Sequence, residues 1–129
     1  MKNFIAILLL TLGIGLTANA QSTQIVKFPK GKTTVTLKGT ITGYKYIDYV
    51  FSAKDTQYFS AKVSGKKAQM VIFEPDGEPM ADAGGITDIT SKVEVAGTYK
   101  VRVLMFRNEA RRKGAKSAFT LVLEVAKQK

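Results

Sequence analysis

Apolar residues in this chain recur at every second position, in short runs, and almost nowhere at the spacing of a helix. In Thr34–Ile41, Val35, Leu37 and Ile41 fall on one side while the threonines and Lys38 fall on the other. Tyr49, Phe51 and Ala53 share a side in the next run, and Phe59, Ala61 and Val63 in the one after. The same holds for Tyr99, Val101, Val103 and Met105, and for Phe119, Leu121, Leu123 and Val125. Side chains at i and i+2 lie on one face of a strand, so each run offers a single apolar face to a core.

Turn residues separate the runs. They are Pro29-Lys30-Gly31, Thr42-Gly43, Lys54-Asp55-Thr56, Ser64-Gly65-Lys66, Pro75-Asp76-Gly77, Ala83-Gly84-Gly85 and Ala96-Gly97. About seven or eight short strands at such spacing predict an all-β fold, an antiparallel β-sandwich or jelly-roll-like domain. Gln21–Gln24 and Lys127–Lys129 read as frayed polar ends. Arg107–Lys116 reads as a long hairpin loop with room for one helical turn.

Residues 1–20, MKNFIAILLLTLGIGLTANA, read as a signal peptide. Lys2 is its early positive charge, the apolar run is short of the roughly 20 residues that span a bilayer, and Ala18-Asn19-Ala20 is a small–x–small cleavage pattern. Cleavage is expected before Gln21, leaving residues 21–129 as one β-sandwich domain in the periplasm or outside the cell, with no membrane span.

Composition then removes most chemistry. The 129 residues include no Cys and no His. That excludes disulfides, thiol nucleophiles, Cys- or His-ligated metal sites and serine–histidine triads. The chain is expected not to be an enzyme and to need no cofactor or metal. Its net charge is +10, and the charge is densest in Arg102–Lys116, where Arg102, Arg107, Arg111, Arg112, Lys113 and Lys116 face only Glu109. A helical turn there would set Arg107 and Arg111 on the same side, two guanidinium forks suited to carboxylate or phosphate. The structural alternative is that Arg102 or Arg107 pairs with Asp48 or Glu94 on a neighbouring strand.

The run Tyr99-Lys100-Val101-Arg102-Val103-Leu104-Met105-Phe106-Arg107-Asn108-Glu109-Ala110-Arg111-Arg112 resembles the closing hairpin of the bacterial periplasmic inhibitors of g-type lysozyme, a strand Y-x-V-R-V followed by R-N-x-A-R. Phe28-Pro29-Lys30-Gly31, Gly39-Thr40-Ile41-Thr42-Gly43 and Tyr46-Ile47-Asp48-Tyr49-Val50-Phe51 also fit, and the resemblance extends over roughly Val26–Val125. Ile72-Phe73-Glu74-Pro75-Asp76-Gly77 and Ala96-Gly97-Thr98-Tyr99-Lys100-Val101 are shared more widely, with the pre-peptidase C-terminal modules of secreted enzymes. The resemblance implies a β-sandwich that plugs a lysozyme's substrate cleft with loop arginines and a tyrosine. Carried over, the arginines are Arg107 and Arg111, with Asn108 and Arg112 in the same motif, and the tyrosine is Tyr46 or Tyr49. Parity makes Tyr46 solvent-facing, and Tyr49 reads equally well as a core aromatic.

The rival reading is a carbohydrate- or polyanion-binding module without inhibitory activity, using Tyr44, Tyr46 and Tyr58 or the scattered lysines. Nucleic acid is not expected as a partner of an exported protein, and the residues do not indicate an oligomeric state.

Overall fold

In the computed structural model, which describes residues 21–127, the alternating runs become nine strands and one short helix. They are β1 Gln21–Ile25, β2 Thr34–Thr42, β3 Tyr46–Ala53, β4 Gln57–Gly65, β5 Gln69–Phe73, β6 Pro79–Ile86, β7 Asp88–Lys92, β8 Gly97–Leu104, α1 Arg107–Ala110 and β9 Lys116–Lys127. Two sheets form, in the orders β2-β9-β4-β7 and β1-β3-β8-β5-β6. The expected all-β sandwich is what the chain folds into. The expected signal peptide lies outside the described residues.

The faces assigned from parity are the faces that pack. Tyr49, Phe51, Ala53, Phe59, Ala61, Val63, Tyr99, Val101, Val103, Met105, Phe119, Leu121, Leu123 and Val125 are all buried between the sheets. Phe51, Phe59 and Tyr99 form a ring cluster with centroids 5.5–5.8 Å apart, two of the pairs inclined and Phe51–Tyr99 stacked. The Tyr99 hydroxyl donates to the Val95 carbonyl at 2.7 Å, which satisfies the one polar atom that this cluster would otherwise strand.

Four expectations are corrected. The strands number nine among the described residues, not seven or eight. Gln21–Gln24 is not frayed: it belongs to β1, which pairs in parallel with β3 from Gln21↔Tyr46 to Ile25↔Val50. An edge strand needs no apolar alternation, because its backbone can pair while its side chains stay in water. Ala83-Gly84-Gly85 is not a turn but lies inside β6, where the register with β5 shifts twice. Gly85 takes φ 67° there, and a side chain in its place would collide with the Phe106 ring, so the glycines serve a bulge. Finally, Arg107–Lys116 is not a hairpin loop. β8 lies in the five-stranded sheet and β9 in the four-stranded one, so the basic segment crosses between sheets at one end of the sandwich.

Candidate functional site

The basic segment is held at both ends by burial. Met105 precedes it and Ala115 closes it, both in the core, and Ala110 is buried midway. Two amides, of Glu109 and Ala110, share the Phe106 carbonyl at 2.9 and 2.8 Å. The Arg111 amide donates to the Arg107 carbonyl at 3.0 Å. The segment therefore makes one helical turn and stops. Arg107 and Arg111 stand one turn apart, both exposed, and neither is paired with an acid among the described residues. Asn108, between them in sequence, is also exposed.

Glu109 secures this turn to the frame. One oxygen of its carboxylate, Oε1, is buried, with the Lys67 ammonium at 3.3 Å and Arg112 Nε at 3.7 Å. Lys67 comes from the β4–β5 connection, so the contact ties the loop to another link between the two sheets. Arg112 is folded back: its Nε lies 3.5 Å from the Asn108 carbonyl as well as near Glu109. Of the three loop arginines, Arg107 and Arg111 are the two whose forks stay available. Glu109→Gln is expected to weaken partner binding by about threefold to tenfold, because a loosened loop must be ordered on binding. A pure charge effect leaves the turn ordered, so loss of hydrogen-exchange protection at the Ala110 and Arg111 amides of the free variant separates the two.

The turn beside the loop carries the aromatic groups. Thr42–Lys45 links β2 to β3 across the two sheets, closed by the Lys45 amide on the Thr42 carbonyl at 3.0 Å. Gly43, at φ 57°, donates its amide to the Ala115 carbonyl at 3.0 Å and so fastens this turn to the end of the basic segment. Tyr44 at the turn is 64% exposed. Tyr46, the first residue of β3, is half-buried, with the Arg102 guanidinium 3.9 Å from its ring centroid. Phe106, 40% exposed, adds a third ring at this end.

Tyr49 is a correction. It is 1% exposed and packs edge-on against Phe119 at 6.3 Å, and burial pushes its phenol pKa up. It shares the inward parity of Phe51, so it belongs to the core and has no face to offer a partner. Tyr44 is the aromatic that the resemblance did not point to. Its signal was its place in the Thr42-Gly43 turn, outside any alternating run, where a large ring has no core to enter.

The structural alternative for the arginines resolves residue by residue. Arg102, not Arg107, pairs with Asp48: Nε donates to Oδ1 at 2.8 Å and Nη2 to Oδ2 at 3.2 Å. Those hydrogen bonds raise the Arg102 pKa further and keep it charged.

A stiff all-β frame that projects two guanidinium groups, unpaired among the described residues, and a tyrosine from adjoining connections is the build of a binding protein. No family model matches the chain. The inhibitor of g-type lysozyme of Escherichia coli (strain K12) is 31% identical over 116 residues, covering 86% of this chain and 87% of the relative. The chain therefore belongs to the family of inhibitors of g-type lysozyme. Its fold is similar to the crystal structure of PliG from Aeromonas hydrophila, a periplasmic lysozyme inhibitor of g-type lysozyme, with TM-score 0.72 and 28% identity over 81% of this chain and 96% of that one. The PliG structure from Salmonella Typhimurium shares the fold at TM-score 0.66 and 24% identity, covering 81% and 97%.

Proposed function

We propose that this chain is an exported inhibitor of g-type lysozyme, acting by occupying the substrate cleft and performing no chemistry of its own. Residues 1–20 direct export and are cut before Gln21, so the mature protein meets the enzyme in the periplasm or beyond. N-terminal sequencing of the exported protein tests this directly; a mature chain that starts at Met1 contradicts it. Among the described residues no helix is long and apolar enough to cross a membrane.

The observation that carries the reading is the pair Arg107 and Arg111, exposed, one turn apart and unpaired with any acid among the described residues. A lysozyme must keep a carboxyl group in its cleft to protonate the glycosidic oxygen. A guanidinium fork bound to that group stabilises the carboxylate, removes the acid and excludes the sugar. Asn108 adds amide hydrogen bonding beside the forks, and Arg112 contributes charge at the margin. Tyr44 supplies the aromatic contact, while Tyr46, with a ring face spent on Arg102, stands behind it.

The test is a cell-wall lysis assay with g-, c- and i-type lysozymes, titrated with the mature protein at low and moderate salt. Block of the g-type enzyme at near-stoichiometric inhibitor is expected. Because the chain is strongly basic, added salt should speed its association with a basic lysozyme by screening repulsion. Salt would instead abolish a purely polyanion-directed attachment. Unchanged lysis by every enzyme, with the protein bound to the wall, would favour the carbohydrate- or polyanion-binding reading.

A further inference from the structure

The outer face of the five-stranded sheet carries a stack that the basic loop does not use. Asp48 on β3 and Arg102 on β8 sit directly opposite each other in the antiparallel register. Asp48 points away from the core yet is only 6% exposed. It is covered by what it binds: the Arg102 fork takes both its oxygens, and the Lys100 ammonium lies 3.7 Å from Oδ2. The guanidinium in turn lies 3.9 Å from the Tyr46 ring centroid and 4.8 Å from that of Phe73. A fork held by two hydrogen bonds has one orientation, so a ring stacked on it has one as well.

Tyr46 follows directly on the turn that presents Tyr44. The turn is therefore anchored on both sides: Gly43 is bonded to the basic segment at Ala115, and Tyr46 is stacked on Arg102. We propose that the Asp48–Arg102 pair is a positioning device that acts through Tyr46 to hold Tyr44 beside Arg107 and Arg111 before the partner arrives. This deepens the inhibitor reading and rests on it. Arg102 itself touches no partner; its effect is to spare the turn an ordering step on binding. A simple cross-strand charge pair would need a cation opposite Asp48 but no planar fork, and that difference can be measured.

Arg102→Lys keeps the charge and the strand pairing and removes the fork and its flat face. It is expected to weaken inhibition of g-type lysozyme about tenfold with the thermal midpoint little changed. Tyr46→Leu, which removes the ring and leaves the ion pair, is expected to do the same and serves if the first variant folds poorly. The deciding comparison repeats both in a Tyr44→Ala background, where each should cost less than about twofold, because the ring they position is gone. In the free protein, the Gly43–Lys45 amides of Arg102→Lys should lose hydrogen-exchange protection. An equal tenfold loss in both backgrounds would overturn the proposal, since Arg102 would then act elsewhere. So would full inhibition by Arg102→Lys and Tyr46→Leu while Tyr44→Ala alone is impaired. If Tyr44→Ala and Arg107→Ala both inhibit like the unaltered protein, the inhibitor site itself is wrong, and the clamp has no function to serve.

Discussion

Arg107→Ala is expected to weaken inhibition of a g-type lysozyme on the order of 30-fold or more, and Arg111→Ala comparably. Truncating one partner of a desolvated interfacial charge pair typically costs about 2–5 kcal/mol, and about 1.4 kcal/mol is a factor of ten in affinity. Much of that penalty falls on the enzyme, whose cleft carboxylate is left buried without its counter-ion. The two arginines share one target and stand one turn apart, so the double variant should fall short of the sum of the single losses. Both side chains are exposed and unpaired among the described residues, so stability should stay within about 0.5 kcal/mol. A folded double variant that inhibits like the unaltered protein removes the site assignment.

Phe119→Ala is expected to destabilise the domain by about 3–5 kcal/mol, a large share of the 5–15 kcal/mol that typically holds a domain together. Phe119 lies on β9 between β2 and β4, is 4% exposed and meets Tyr49 edge-on. Across from it on β2 is Gly39, and a side-chain carbon there would lie 2.9 Å from the Phe119 ring. The ring occupies space that the neighbouring strand leaves vacant. Truncating it opens a void with no side chain on Gly39 to collapse into it, which puts the cost toward the upper end of that range. The arginine pair is untouched, so the fraction still folded should inhibit normally. Urea denaturation measures the loss; a midpoint equal to that of the unaltered protein would mean the core does not depend on this contact.

The faces of the sandwich were legible because alternation records which side of a strand is buried, and Phe51, Val101 and Leu121 all fell where parity put them. Alternation does not record which sheet a strand joins. β8 and β9 therefore read as a hairpin when they belong to opposite sheets. β1 left no trace, because an edge strand such as Gln21–Ile25 pairs through its backbone and leaves the side chains of Ser22–Ile25 in water. Gly84-Gly85 looked like a turn because a bulge and a turn ask for the same residue. At the site, Arg107 and Arg111 were readable from their four-residue spacing. The Lys67–Glu109 tie was not, since it joins residues from distant parts of the sequence that only the fold brings together. Tyr49 and Tyr44 were separated by burial alone: one continues the alternation of β3, and the other precedes it in the turn.

Competition with a bound oligosaccharide tests cleft occupancy most directly. A g-type lysozyme is saturated with a chito-oligosaccharide, and the mature protein is titrated against it. If Arg107 and Arg111 enter the substrate cleft, the apparent affinity should fall in proportion to oligosaccharide concentration, with no ternary complex. A ternary complex of undiminished affinity would place the contact outside the cleft and contradict the plug.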